Sequence, residues 1–374
     1  MRRVAIFARG GVAPAHSAQR VPSIAALIER LSSAFDIRVY VPLRGDGHTE
    51  AFRCGDARVT YVDARHDDSA VLVAASMLRA FARDHARNRF SLVHGFWALP
   101  GGVAAVAAGR FWGLPSIASM LGGEGADLPA IGYGNMSRRA PRAATLWTCT
   151  HATRLALLTS FQRERLRAHG LRRDSNVHVI PFGAEPDFYR PPVRRAAGPP
   201  YNLLNVAHIN RVKDQETILR ALRRILPDVP CTLRIVGEDT LGGELARRAS
   251  DMGLGGVVTF AGYAPHREMR THYDWAHLLC HSSLYEGEGV VVAEASAAGL
   301  PVCGTRVGLI ADLGEACAAA TEPGDDVALA DAMRSVLTDG ERREAMSAGA
   351  LAWARAHDAD WTAAQYAALY SDPA

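Results

Sequence analysis

Apolar and polar positions along the chain follow two periods that take turns. Short apolar runs read as buried strands: VAIFA (4–8), IRVYVP (37–42), VTYVD (59–63), SLVHGF (91–96) and PSIASML (115–121). Between them the spacing is helical. Ile24, Leu27, Ile28 and Leu31 share a face in 22–34, a helix follows around 69–87, and GGVAAVAAGRFW is a small-residue helix. From about 135 to Gly170 the pattern predicts helices broken by one strand-like run, ATLWTCT (144–150), and VHVIPFG (177–183) closes this half. EPDFYRPPVRRAAGPPY has no period and reads as a linker. The alternation then restarts with strands at YNLLNVAHI (201–209), CTLRIVG (231–237), VVTFAGY (257–263), AHLLCHSS (276–283) and PVCGT (301–305). Helices are predicted from DQETILRALRRIL, LGGELARRASDMG, about Gly289 onward, 325–338, 341–357 and the final DWTAAQYAALYSD.

Strand–helix alternation predicts a parallel sheet covered on both faces. Here it occurs twice, so the expected fold class is α/β with two Rossmann-like domains. The expected divisions are 1–186, a linker over 187–200, and 201–352. Ligands of such sheets bind at the carboxyl ends of the strands, so two sheets facing one another place the chemistry in an interdomain cleft.

Composition fits this picture. A length of 374 residues suggests two domains of ordinary size, and 48% apolar with 22% charged residues supplies two cores. No apolar run reaches the length of a membrane-spanning helix. The opening MRRVAIFARGG has an apolar stretch of only about five residues, which reads as a first strand rather than a signal core. The six cysteines form no C-x-x-C pair and read as scattered thiols.

Charge is unevenly spread. Residues 1–186 hold 24 arginines against 14 acids, and the remainder is net acidic. Nine arginines face a single acid, Glu164, in 138–173, so this stretch is the expected contact for an anionic partner such as a membrane surface. The basic residues are not interleaved with an aromatic platform, so nucleic acid is not an expected partner. Lysine occurs once, at Lys213, against 41 arginines.

The densest chemical signal is YEGEGVVVAEASAAGLPVCGTRVG (285–308). Glu286 and Glu294 stand eight positions apart, just over two helical turns, so both can reach one cleft. Gly287 and Gly289 allow close backbone approach, and a helix start there suits a diphosphate. This segment resembles the Glu-x7-Glu motif of retaining glycosyltransferases of family 4, which have the GT-B fold. HINRVKDQETILRA (208–221) resembles that family's diphosphate-binding segment, with Lys213 on the family lysine and His208 where an arginine is usual. Arg211 is the candidate to take over that arginine's part. VTFAGYAPHREM (258–269) resembles the loop around the nucleobase, shaped by Gly262, Tyr263 and Pro265.

In the first half, ARGGVAP (8–14) resembles the family's early glycine loop through Gly10 and Gly11. LVHGFWALPGG (92–102) resembles its histidine-bearing segment and makes His94 a candidate cleft residue. PSIASMLGGEGADL (115–128) resembles its acceptor-side segment, with Leu121 at the usual histidine and Glu124 as candidate polar group. Segment 353–374 resembles the family's last helix, which returns to the first domain.

The resemblance implies a cytoplasmic hexosyltransferase that moves a sugar from a UDP-, GDP- or ADP-sugar to a hydroxyl acceptor, in polysaccharide or glycoconjugate synthesis. It implies retention of configuration and no metal. Glu286, Lys213, His94 and Glu124 are the implied catalytic residues. Gly10, Gly11, His208, Arg211, Gly262, Tyr263, Gly287, Glu288, Gly289, Val290 and Glu294 join Lys213 and Glu286 as implied donor contacts. With Leu121 and His208 at those positions, a catalytically silent nucleotide-sugar or glycan binder is the alternative. A nicotinamide dehydrogenase is excluded, because no G-x-G-x-x-G follows the first strand. Asp358 and Asp360 form D-x-D, a metal signature elsewhere; here Asp360 is expected to cap the last helix.

Overall fold

The computed structural model describes residues 1–14, 17, 20–43, 50–189 and 198–372. The chain divides into two compact units: Met1–Pro181 together with Ala359–Ala374, and Phe182–Asp358. The crossing points therefore lie at Pro181/Phe182 and Asp358/Ala359, not at the expected 186 and 352. The reason is packing, since Phe188 is buried in the core of the second unit. The middle of the expected linker, 190–197, lies outside the described residues.

The first unit runs β1 (Arg3–Ala8), α1 (Pro22–Ser32), β2 (Asp36–Leu43), β3 (Phe52–Cys54), β4 (Ala57–Arg65), α2 (Ala70–Arg87), β5 (Leu92–Phe96), α3 (Val103–Trp112), β6 (Ser116–Met120), α4 (Arg139–His151), β7 (Arg154–Leu157), α5 (Ser160–Ala168) and β8 (Val177–Val179). Among the described residues its eight strands lie in the order β3-β4-β2-β1-β5-β6-β7-β8. All neighbours are parallel except the β3–β4 hairpin at the edge. Val4 through Ala8 in the central β1 are fully buried, as an unbroken apolar run between two helix layers must be. Phe7, Tyr40, Phe81 and Phe90 pack on the face that α2 and α3 cover, while Val106, Met120, Leu155 and Leu166 fill a second cluster.

The second unit runs β9 (Tyr201–Val206), α6 (Gln215–Ile225), β10 (Cys231–Val236), α7 (Glu244–Asp251), β11 (Val258–Gly262), α8 (Met269–Trp275), β12 (Leu278–His281), α9 (Val290–Ala297), β13 (Val302–Thr305), α10 (Leu309–Leu313), β14 (Ala318–Thr321), α11 (Asp326–Thr338) and α12 (Gly340–Ala356). Among the described residues its six strands are all parallel, in the order β11-β10-β9-β12-β13-β14. Leu203 and Leu204, adjacent on β9, point into different core clusters, so both faces of this sheet are covered. Finally α13 (Ala359–Ser371) joins the first unit, where the Tyr366 and Tyr370 side chains are fully buried.

Two expectations need correction. ATLWTCT is not a strand but the body of α4, and its buried Thr145, Thr148 and Cys149 fall at helical spacing. The hydroxyls of Thr148 and Thr150 donate to the carbonyls of Ala144 and Leu146, four residues back, at 2.9 and 2.7 Å. The strand that belongs here is the next run, β7. Asp360 does not cap α13 but lies inside its first turn and pairs with Arg30 at 2.7 Å.

Candidate functional site

In the second unit, the loops at the carboxyl ends of β9 and β12 meet. Lys213 sits between β9 and α6, where Asp214 takes a left-handed backbone (φ 45) to start the helix. Two bonds tie this loop to the one after β12: Ser282 Oγ donates to the Lys213 carbonyl at 2.8 Å, and the Leu284 amide donates to the Val212 carbonyl at 2.8 Å. The side chains then converge. Lys213 Nζ lies 2.5 Å from Glu286 Oε1, and the same oxygen accepts from Ser283 Oγ at 2.6 Å and meets His281 Nε2 at 3.1 Å. Among the described residues no hydrogen bond is directed at Glu286 Oε2. Burial alone would raise the pKa of this carboxyl, but the Lys213 ammonium and the His281 imidazole outweigh it and hold the group far below the usual carboxylate range. Glu286 is therefore an anion with one oxygen committed and one available.

Two glycines shape the turn that carries it. Gly289 has φ 88 immediately before α9. Gly308, at φ 54, lies so close that a Cβ there would sit 2.2 Å from the Glu288 carbonyl oxygen and 2.7 Å from Glu286 Cβ. The Leu309 amide donates to that same carbonyl at 2.6 Å. The helix α9 thus opens beside Glu286, with the Val290 and Val291 amides ahead of the first turn's bond, which the Val292 amide donates to the Gly289 carbonyl at 2.8 Å.

Glu294, one helical turn into α9, is 6% exposed. Its Oε1 meets His266 Nε2 at 2.9 Å and its Oε2 accepts from the Tyr273 hydroxyl at 2.7 Å. Burial would lower the His266 pKa, but Glu294 reverses the direction and raises it. Glu288 is a buried carboxyl whose two oxygens lack a hydrogen-bond partner of good geometry among the described residues. Burial pushes its pKa well up, the Phe182 backbone works the other way, and Glu286, Glu294 and Asp312 add to the rise.

Of the other expected donor contacts, two stand apart from this pair. His208 is 59% exposed and 3.9 Å from Glu238, and Arg211 is 64% exposed and 3.8 Å from Glu244. Neither has an ion pair or hydrogen bond to Lys213 or Glu286 among the described residues. Gly262 ends β11 with φ 70, and Tyr263 beside it is exposed.

In the first unit, His94 is not a cleft residue. It is fully buried, with Nδ1 2.7 Å from the Tyr370 hydroxyl and Nε2 2.8 Å from Ser119 Oγ. Burial drives its pKa down to about 3, so it is a neutral strut between β5, β6 and α13. Gly10 is buried, and Gly11 has φ 76 and accepts from the Val21 amide at 2.9 Å. Glu124 is 3% exposed and receives the amides of Ala98, Leu121 and Gly122 at 3.3, 3.2 and 2.7 Å. It forms part of a pocket of about 470 Å³ whose rim carries Arg9, Trp97, Tyr133, Asn135 and Arg138.

Sequence reading missed His281, Ser283, His266 and Tyr273. His281 and Ser283 belong to a run, AHLLCHSS, that reads simply as a buried strand. Among the described residues no group of three or more His, Cys, Asp or Glu side chains could hold a metal ion, and the six cysteines are unpaired and buried. No helix among them is long and apolar enough to cross a membrane.

Family models match both halves of the chain: the glycosyl transferase 4-like domain over 21–183 and glycosyl transferases group 1 over 191–353. A D-inositol 3-phosphate glycosyltransferase of Kineococcus radiotolerans is 30% identical over 327 residues, 79% of this chain and 74% of that protein. One of the same description from Nocardiopsis dassonvillei is 29% identical over 250 residues, and there the match spans only 58% of the relative's length. Among solved structures, a sucrose-phosphate synthase from Thermosynechococcus elongatus superposes with a TM-score of 0.84 at 18% identity, covering 99% of this chain and 98% of that one. HepE from Anabaena, solved in complex with UDP and glucose, gives 0.76 at 15% identity over 99% and 100%. At these identities the structural likeness speaks for the fold.

Proposed function

From the premise that the chain belongs to the group 1 glycosyltransferases of family 4 and has the GT-B fold, we propose that it transfers a hexose from a nucleoside diphosphate sugar to a hydroxyl with retention of configuration and without a metal. One observation carries the reading: the Lys213 ammonium, the ionised Glu286 and the opening of α9 lie together at the carboxyl end of one sheet. As the anomeric C–O bond breaks, negative charge collects on the departing diphosphate. Lys213 and the first amides of α9 stabilise it electrostatically, the kind of contact worth about 1.5–3 kcal/mol per charged hydrogen bond. Glu286 Oε2 accepts a sugar hydroxyl, and Glu294, already oriented by His266 and Tyr273, accepts from the ribose. The acceptor hydroxyl attacks from the face the diphosphate leaves, and a phosphate oxygen takes its proton.

The HepE structures with UDP and with UDP-glucose support a uridine donor. The relatives' name supports a phosphorylated polyol as acceptor, and the arginines at the pocket of the first unit suit that charge. The exposed arginines among 138–173 serve as contact with an anionic membrane surface, while Arg154, Arg163 and Arg167 are committed to Asp372 and Asp174.

The test is release of UDP from UDP-sugars, with and without inositol phosphate, by the chain and by Glu286→Ala. A melting-temperature panel of UDP-, GDP- and ADP-sugars runs alongside. Donor binding without any turnover, equal in both proteins, would leave only the silent binder.

A further inference from the structure

A second basic cavity lies in the first unit, apart from the residues of the candidate site. Along α2 the positions turned to the sheet edge are Ser76, Ala80 and Asp84, two of them small, and a groove of about 420 Å³ opens between them and β4. Arg79, Arg83 and Arg87, spaced four apart on the helix, form one wall, and Arg38 and Arg58, register partners on β2 and β4, form the other. Against these five arginines stand two acids, Asp63 and Asp84. Asp84 is occupied internally, accepting from Arg38 at 2.7 Å and from the Tyr40 hydroxyl at 2.8 Å. Those bonds fix the level of the helix against the strands. Arg58, Arg83 and Arg87 come to one end and Arg79 to the other, across roughly 12 Å of helix.

Arg58 and Arg83 have no ion-pair partner among the described residues, and Arg87 reaches Asp84 only at 3.9 Å. The groove wall also holds a hydroxyl, Thr60 Oγ1, that is buried and has no hydrogen-bond partner among the described residues. A buried hydroxyl left unmatched costs free energy, and a cluster of unpaired guanidinium groups repels itself. An anionic ligand relieves that repulsion, since guanidinium forks match phosphate oxygens.

We propose that the α2–β4 groove is a second anion site, which takes a ligand carrying phosphate-ester groups at the Arg58–Arg83–Arg87 end. The volume is that of a small-molecule site, large enough for a sugar phosphate and for a phospholipid headgroup alike. The two sources share this chemistry, and the experiment separates them.

The chain carrying Lys213→Ala, which silences the anion site of the second unit, is titrated calorimetrically with inorganic pyrophosphate. It is also sedimented with vesicles of phosphatidylglycerol and of phosphatidylcholine. The same measurements are made after adding Arg58→Ala and Arg83→Ala, both at exposed positions, with an unchanged melting temperature as the check on folding. Binding of pyrophosphate that weakens at least about tenfold in the added variant, and weakens with salt, establishes a site for a soluble phosphate. Retention on phosphatidylglycerol vesicles alone, lost in the added variant, establishes a site for lipid phosphate. The proposal is overturned if neither probe binds, or if binding is the same with and without Arg58 and Arg83.

Discussion

Lys213 and Glu286 stand 73 positions apart in the chain and 2.5 Å apart at their charged atoms. The pair is mostly sheltered, with side-chain exposures of 22% and 12%. A charge pair of that kind loses much of its hydration, so its retention at a strand end asks for a purpose other than stability. Glu286 also collects His281 and Ser283 on the same oxygen. The carboxylate is thereby fixed in one orientation, with the Lys213 ammonium held against it.

Neutralising either partner should abolish most turnover. Glu286→Gln keeps the shape and removes the anion; Lys213→Ala removes the cation. Each is expected to lower kcat/KM for transfer by about 100- to 1,000-fold, the scale of losing one electrostatic contact to developing charge. Steady-state kinetics with a UDP-sugar measures this. A loss of less than about fivefold in both variants would mean that the pair merely holds two loops together.

Gly308 gives a prediction about stability. Its φ of 54 already disfavours a side chain, and a Cβ would collide with the Glu288 carbonyl and with Glu286 Cβ. Gly308→Ala should destabilise the second unit by about 1–3 kcal/mol, since the obstacles include backbone that cannot rotate away. It should also raise the KM for the donor, because relief of the clash moves Glu286. Denaturant unfolding and donor kinetics on the same preparation test both parts.

The sequence exposed this site unevenly, for physical reasons. Glu286 and Glu294 were legible because glycines, an apolar helix and a following strand frame them in one continuous segment. Lys213 stood out because arginine fills every other basic position except histidine's. His281 and Ser283 were not legible, since LLCHSS carries no feature that separates a polar strand end from a buried polar side chain. His94 misled for a related reason. Its surroundings depend on Tyr370, which reaches it from 276 positions away, and no local pattern reports that contact. ATLWTCT misled because threonine and tryptophan favour strands, whereas the Thr148 and Thr150 hydroxyls are satisfied by the helix carbonyls themselves. Both sheets were legible as such. The strands β7 and β14 escaped because RLAL and AAAT are short, and nothing in four residues distinguishes strand from helix.

His94 predicts a pH dependence with a definite sign. Its folded pKa of about 3 lies below the ordinary value of 6.5, so between those values the unfolded chain binds a proton that the folded chain refuses. Stability attributable to this residue is therefore full above pH 6.5 and is lost as the pH falls, at about 1.4 kcal/mol per pH unit. The chain and His94→Gln are to be unfolded in urea at pH 7.5 and pH 5.5. The variant should be less stable at pH 7.5, because Tyr370 and Ser119 lose a partner, and should lose less on acidification. Equal losses in the two proteins would show that His94 takes up its proton in the folded state.

Glu288 predicts the opposite slope. A buried carboxyl with no good partner is stable only when protonated, and its folded pKa lies well above 4.5. Above pH 4.5 the unfolded chain releases a proton that the folded chain keeps, so this residue lowers stability increasingly as the pH rises, by about 1.4 kcal/mol per unit until the folded pKa is reached. Glu288→Gln removes the ionisation and keeps the volume, so it should raise the melting temperature at pH 8 and have little effect near pH 4.5. The site constrains the same substitution in a second way. The Glu288 carbonyl, which holds the Leu309 amide, is unchanged by it, so Glu286 stays in place and transfer should remain within about threefold of the parent chain. A variant that melts lower at pH 8 would mean that the carboxylate is ionised and has found a partner in solution. A variant that is more stable but inactive would move Glu288 itself into the reaction, as a neutral acid beside the departing phosphate.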